Sequence, residues 1–494
     1  MRRHGAVGRN LWATDDGIFL GFAVTPAKPQ ASRSILDEDW KVETGKLHRY
    51  PNPDDPANRG DRHILTIGPN GSGKTRRLLI PNLFRLKNWS IVVVDIKGEL
   101  AAATSAYRAA QPGHRVAVID PFGVVRTTYP KLAAAHNFLA SNGFNPVAAL
   151  DPALDEFPDD ALALAEAIIR VEGSEPHWAQ SAQDLIAALI MYVRLDKGRK
   201  ASLSDVRAIL GQTGKEFCDT ITQAMVAGVK ANCEELTIKA ARFADFASDN
   251  RELNSILSTA LTQTRWLDSR PIKADLAKGD FDFGSLKTNP TTVYLVLPPR
   301  YLATHSTWLR VLITSSLMPL LRSVEDAQVP VLLMLDEFAQ LGQMPVVENN
   351  IALMRGYGVK LWPVFQDLSQ AKALYKDRWE SFVGNAGVVT SFAPQDVTSR
   401  KYLSELSGQR LYWLTSGGTS TSTSMGREAS ESQSSSESVH YMPGPLYWPQ
   451  GLGAMDMGQS VVFSRGRCVR AWLPDPEDEA DSLGIRKLLQ HATG

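Results

Sequence analysis

Eight consecutive residues, Gly68-Pro69-Asn70-Gly71-Ser72-Gly73-Lys74-Thr75, fit the pattern G-x-x-x-x-G-K-[ST]. The motif follows the strand-like HILTIG (63–68) and opens a helical pattern, RRLLIPNLFRL, which is the context such a phosphate loop requires. Its glycines let successive backbone N–H groups curl into a nest around phosphate oxygens. Lys74 then reaches the β- and γ-phosphates, and the Thr75 hydroxyl is an oxygen ligand for Mg²⁺. The helix N-terminus adds a favourable dipole for the anion, and Arg76, the first residue past the motif, joins the nucleotide-contacting set. These residues predict a site for a nucleoside triphosphate such as ATP, with Mg²⁺.

A phosphate loop needs a carboxylate at the tip of a neighbouring strand to complete the metal shell. Asp95 ends SIVVVD (90–95), and Asp336-Glu337 ends VPVLLMLDEF (329–338). The acidic pair fits hydrolysis better, because one carboxylate serves the metal and the other polarises the attacking water. Asp336 is therefore expected to hold Mg²⁺ and Glu337 to act as general base. Asp95, followed by Lys97-Gly98-Glu99, is expected to support them from an adjacent strand, or else merely to cap a turn. Gln366 ends the next strand and is a candidate to sense the γ-phosphate or orient water. Arg355, on a turn with Gly356 and Gly358, is a candidate finger onto a neighbouring subunit's γ-phosphate; a surface arginine is the plainer alternative.

The elements that must position these side chains are legible as texture. Short β-branched runs recur at 63–68, 90–95, RVAVID (115–120), TTVYLVLPP (291–299), 329–338, VKLWPVFQ (359–366) and NAGVVTSFAP (385–394). Near-continuous apolar strands separated by helices predict an α/β fold with a mostly parallel sheet covered on both faces. From 147 to 285 no strand-like run occurs, and Asp159–Arg170, Ala179–Leu195 and Lys239–Leu261 carry apolar residues at helical spacing. So long a strandless stretch exceeds an ordinary crossover and predicts an inserted all-α domain. The expected organisation is an N-terminal segment 1–60 with a strand or two, a nucleotide-binding domain from 61–146 and 286–474, the insert 147–285, and a tail 475–494. Residues 415–438 are low-complexity Ser, Thr and Gly and read as a disordered loop. Ser460–Val469 is strand-like, and the acidic Asp475–Asp481 reads as solvated surface.

Composition bounds the rest. Lys+Arg and Asp+Glu number 53 each, so the chain does not act by sheer positive charge. The basic cluster Lys197, Arg199 and Lys200 reads as a solvated loop, and no recognition motif for nucleic acid appears. Three separated cysteines form neither a disulfide framework nor a zinc site. No run approaches the roughly 18 apolar residues of a membrane helix.

Several blocks, in one order over about 63–470, resemble the type IV secretion coupling proteins of the TraG type, the RecA-like ATPases of conjugative DNA transfer. They are IGPNGSGKTRRLLIPNL with its Ile80-Pro81-Asn82-Leu83, VVVDIKGEL with Ile96 where proline is usual, VAVIDPFG, Phe144-Asn145-Pro146, HWAQSAQDLI, VYLVLPP, LLMLDEFAQLG and MRGYGVKLWPVFQDLSQ, then a Ser-rich loop. A proline in the helix after a phosphate loop removes a backbone donor and sets this family apart. The resemblance implies a RecA-like domain with an inserted all-α domain, and a homo-hexameric receptor. It would dock a relaxase–single-stranded DNA complex or a secreted protein to the inner-membrane components of the secretion channel, energised by ATP. The family usually begins with a transmembrane anchor, whereas NLWATDDGIFLGF resembles the stretch that follows one. The expectation is either an anchorless member, held at the cytoplasmic face of the bacterial inner membrane by partners, or a truncated chain. A DNA-moving motor is the leading reading and an ATP-switched docking adaptor the alternative. A metabolic kinase has no use for the water-polarising Glu337.

Overall fold

The computed structural model describes residues 17–26, 40–50, 62–130, 141–171, 176–212, 214–244, 251–279, 281–324, 327–424 and 430–476. The expectations for 1–16, for the centre of the Ser-rich segment at 425–429 and for the tail beyond 476 lie outside these residues.

Thirteen strands occur among them, numbered in chain order: β1 (Ile18–Pro26), β2 (Trp40–Tyr50), β3 (His63–Ile67), β4 (Ser90–Asp95), β5 (Arg115–Ile119), β6 (Thr291–Val296), β7 (Val331–Leu335), β8 (Val359–Phe365), β9 (Ala386–Ser391), β10 (Gln409–Ser424), β11 (Ser430–Pro445), β12 (Gln459–Ser464) and β13 (Arg467–Trp472). Eleven form one sheet in the order β2-β1-β13-β12-β9-β3-β8-β7-β4-β6-β5. From β9 to β5 every neighbouring pair is parallel. The strands β2, β1, β13 and β12 extend it antiparallel at the β9 side. All seven expected β-branched runs are thus strands of the parallel part. Their residues are apolar at both parities because helices cover both faces, and Ile91 to Val94 are wholly buried.

Between β5 and β6 the described residues form helices and turns only, among them Phe157–Ile168, Pro176–Lys197, Leu203–Leu210, Gly214–Lys230, Glu234–Ala244 and Arg251–Thr264. Their apolar faces are not a separate core. Leu185, Ile190 and Phe243 belong to the same buried cluster as Leu65 and Leu335 of the sheet. Lys197 of the small basic cluster is paired with Asp205 at 2.7 Å.

The proline after the phosphate loop has a local solution. Lys74–Leu79 is a wide π-helical turn, in which the Ile80 N–H donates to Thr75 O, and only then does an α-helix run from Ile80 to Arg85. Pro81 therefore sits in the first turn of that α-helix, where a missing N–H is tolerated. Asn82 completes the arrangement: its amide donates to Leu78 O at 2.8 Å and to Phe19 O at 2.9 Å, and its Oδ1 accepts the Phe19 N–H at 2.8 Å. One buried side chain thereby serves as a strand partner for β1. The helix's far end is held by buried Arg108, which donates to the carbonyls of Leu83, Leu86 and Trp89.

Two expectations require correction. The Ser/Thr-rich stretch expected as a disordered loop at 415–438 is paired as a long hairpin, β10 with β11, in register from Gln409↔Pro445 to Ser424↔Ser430. Hydroxyls pair across it, Ser416 with Ser438 and Ser420 with Ser434. Absence of an apolar face removes a core, not the backbone ladder, and Tyr412 anchors the base by donating to Pro445 O at 2.6 Å. Ser460–Val469 is strand-like but not one strand: it spans most of β12, a turn at Arg465 and Gly466, which both take positive φ, and the start of β13.

Candidate functional site

The parallel topology brings the C-terminal ends of β3, β7 and β8 side by side, which is where open α/β sheets bind ligands. The loop after β3 is pinned at its start, where the Gly68 N–H donates to Phe365 O at 3.0 Å, and at its end, where Arg77 N–H donates to Gly73 O at 2.7 Å. Gly71 and Gly73 take φ of 77° and 87°, a left-handed geometry that side chains disfavour and that turns the intervening N–H groups inward. The Ser72 Oγ is buried in the loop with no hydrogen-bond partner.

Lys74 is buried, and its ammonium lies 3.5 Å from Asn70 Oδ1 and 3.4 Å from Glu337 Oε1. The Thr75 hydroxyl donates to Asp336 Oδ2 at 3.3 Å. Gln366, just past β8, donates from its amide to Glu337 Oε2 at 2.7 Å. Glu337 itself sits at φ 52°, ψ 42°, a left-handed conformation that a non-glycine residue holds only when its surroundings enforce it. Burial pushes the Asp336 carboxyl up to about 6; Lys74 works against that rise and Glu337 adds to it. Asp95, on β4 beside β7, is likewise pushed up to about 7 by burial, with the Ala101 N–H opposing and Glu99 and Asp336 adding. Its Oδ2 accepts that Ala101 N–H at 2.8 Å, so Asp95 holds the first turn of the helix Glu99–Ala109.

The donor set fits Mg²⁺. Thr75 Oγ1 and Asp336 Oδ2 are adjacent hard oxygens at the mouth of the loop, a ligand set that leaves the remaining positions to water and phosphate. Among the described residues no cluster of three or more His, Cys, Asp and Glu offers an all-protein metal cage.

Asn70, Lys74, Thr75, Asp336, Glu337 and Gln366 are thus brought together, as their types and spacing predict. Two candidates are not. Arg76 turns away from the acidic pair, and its Nε donates to Asp475 Oδ2 at 2.8 Å. Arg355 is exposed on the turn Met354–Tyr357, before β8, at the opposite edge of the sheet from the loop. Asp475, expected as part of a solvated surface, is instead paired with Arg76, and no local pattern links two residues 399 positions apart.

Residues 24–469 match the family described as Type IV secretory system Conjugative DNA transfer. The chain belongs to this family. Among curated relatives it is similar to the conjugal transfer protein TraG of Escherichia coli, at 24% identity over 469 residues, covering 90% of this chain and 70% of that protein. It is also similar to the protein VirD4 of Agrobacterium fabrum, at 27% identity over 414 residues, covering 82% and 57%. Among solved structures, the bacterial conjugative coupling protein TrwBdeltaN70 superposes with a TM-score of 0.61 over 84% of each chain at 13% identity. The plasmid coupling protein TrwB in complex with ADP and Mg²⁺ does so with 0.59 at 14% identity, over 84% of this chain and 86% of that one. These likenesses identify the fold as that of a RecA-like P-loop NTPase within the coupling-protein family. No helix among the described residues is long and apolar enough to cross a membrane.

Proposed function

We propose that this coupling-family chain is an ATP hydrolase that recruits a relaxase–DNA complex or secreted proteins and energises their transfer through a type IV secretion channel. The observation that carries the reading is the single cluster of Lys74, Thr75, Asp336, Glu337 and Gln366 at the tips of three parallel strands. TrwB has been captured with ADP and Mg²⁺, which supports the same ligands here.

The residues divide the work. The Gly68–Gly73 backbone cradles the phosphates, and Lys74, paired with Glu337 Oε1 at 3.4 Å, exchanges that carboxylate for the β/γ-phosphates. Glu337 is then released to take a proton from water, and Gln366, bonded to its other oxygen, holds the carboxylate in line. Mg²⁺, when bound at Thr75 and Asp336, supplies charge neutralisation for the phosphate oxygens. Arg355 lies on the wrong edge to serve its own site, so its role in hydrolysis is on a neighbour in a homo-hexamer. The helical stretch 147–285 is read as the all-α domain that meets substrate, and partners at the inner membrane place the assembly at its cytoplasmic face. Turnover of ATP with and without single-stranded DNA tests the motor. Stimulation by DNA supports it, and hydrolysis indifferent to DNA assigns the chain to ATP-switched docking instead.

A further inference from the structure

The first turn after the phosphate loop meets the last described segment of the chain. Arg76 Nε donates to both oxygens of Asp475, at 3.1 and 2.8 Å. Arg77 Nη1 donates to Leu473 O at 2.9 Å, and its Nη2 lies 3.7 Å from Asp475 Oδ2. The segment is itself fixed. Leu473 N–H donates to Gly458 O at 2.7 Å, and Gly458, at φ 89°, leaves room for Arg77, whose Nη1 would lie 3.3 Å from any Cβ at that position. The segment that begins where β13 ends therefore stands against the first turn after Thr75.

The direction of a bound nucleotide follows from the groups already assigned. Lys74, Glu337 and Gln366 gather at one end, the end that handles the terminal phosphate. The rest of the triphosphate lies along the loop's N–H groups, so the nucleoside leaves past the residues that follow Thr75. Arg76 is the first of these, and its side chain keeps 44% of its surface exposed while its Nε edge is bonded to Asp475. A planar guanidinium held by its edge presents a face on which an aromatic ring stacks. We propose that Asp475 is a positioning residue that holds Arg76 as the platform for the nucleoside end of the ligand. The inference rests on the nucleotide reading above and adds to it which residues grip the base and ribose. The role of Asp475 is indirect, since it acts through Arg76.

Calorimetric titration of the full chain with ADP and, separately, with inorganic tripolyphosphate tests this. In Asp475→Ala, ADP affinity falls about five- to tenfold, the scale of a charge-assisted hydrogen bond at a partly exposed site, while tripolyphosphate affinity stays within about twofold. Asp475→Glu recovers most of the loss, and the Arg76→Ala/Asp475→Ala double variant binds ADP no worse than Arg76→Ala alone. The tripolyphosphate arm reports an intact phosphate loop in each variant. Unchanged ADP affinity in Asp475→Ala overturns the proposal, and so does a parallel loss of both ligands, which would make Asp475 a structural brace. If the parent chain binds neither ADP nor tripolyphosphate, the nucleotide reading itself fails.

Discussion

Gln366 and Glu337 share a hydrogen bond of 2.7 Å between two strand tips, while Lys74 lies 3.4 Å from the other oxygen of the same carboxylate. Glu337 is thus held from both sides in a left-handed backbone conformation. On the proposed reading, Glu337 acts on a water only after Lys74 has shifted to phosphate, which would tie base activation to the presence of nucleotide.

The three side chains should fail differently. Lys74→Ala is expected to lose nucleotide binding along with turnover. Glu337→Gln should still bind ATP and lose at least about 10²-fold in turnover, since only the proton acceptor is removed. Gln366→Ala should lose about tenfold or more in turnover with ATP affinity little changed, because it orients the base rather than gripping phosphate. Single-turnover hydrolysis beside equilibrium ATP binding checks all three, and near-parental hydrolysis by Glu337→Gln would remove that residue from the base role.

Asp95 gives a pH signature with a definite sign. Its carboxyl is pushed from 3.8 up to about 7 in the fold, mainly by burial. An acid raised in this way costs stability when ionised: the cost is absent below the unfolded value and complete above the folded one. Asp95→Asn keeps an oxygen for the Ala101 N–H but removes the charge. The variant should therefore be more stable than the parent at pH 8, with the advantage shrinking toward pH 5. Urea midpoints at the two pH values decide it, and a difference that does not vary with pH would refute the assignment.

How much of this was readable in advance depends on whether the cause is local. The parallel strands announced themselves because burial on both faces demands apolar residues at every position, as in Ile91–Val94. The site residues were legible because a phosphate loop and strand-tip acids are short, fixed patterns. The hairpin at 409–445 was not, since Ser and Thr satisfy a ladder through backbone groups that composition does not report. Asp475 and Asn82 were hidden for another reason. Each acts on a residue distant in sequence, Arg76 and Phe19, and no periodicity encodes such a pairing.

Asn82 is accordingly a sharp test of packing. It is fully buried, and its side chain makes three hydrogen bonds, two of them to Phe19 of β1. Asn82→Ala removes all three bonds at once, so a loss of about 3 kcal/mol is expected. Asn82→Asp should be nearly as damaging, because a carboxylate cannot donate to the two carbonyls. Chemical denaturation measures both, and a loss below about 1 kcal/mol would show that β1 is held by other means.

The distal hairpin should be dispensable for stability. Ser416, Ser420, Ser434 and Ser438 are exposed; Ser416 meets Ser438 and Ser420 meets Ser434 across the ladder, and Ser438 Oγ also lies 3.3 Å from His440 Nε2. Replacing the stretch between Ser416 and Ser438 by a two-residue turn is expected to change unfolding free energy by no more than about 0.5 kcal/mol, as for other exposed sites. A larger loss would mean that the hairpin packs on the body of the protein.

Arg355 tests whether the active site is shared. Strand β8 has seven residues, so Arg355 before it and Gln366 after it are separated by about 23 Å or more of extended chain. It cannot reach the terminal phosphate of its own loop. Two further arginines lie beyond β8, and both have partners: Arg378 Nε lies 3.2 Å from Glu348 Oε1, and Arg400 Nε donates to Asp396 O at 3.4 Å. An arginine supplied by a neighbour contributes about 10³-fold or more in related enzymes, so Arg355→Ala should lose turnover severely yet keep its ATP affinity. Lys74→Ala and Arg355→Ala proteins, each inactive alone, are then mixed. Mixed rings contain some interfaces that pair an intact loop with an intact finger, and partial hydrolysis should return. Specific activity should also rise with protein concentration, because a shared site exists only in the oligomer. If mixed oligomers form and restore nothing, or if Arg355→Ala matches the parent, the finger lies elsewhere. Arg400 is then the residue to test first, since its helix begins at Val397, six residues past the end of β9 on the loop's own edge of the sheet.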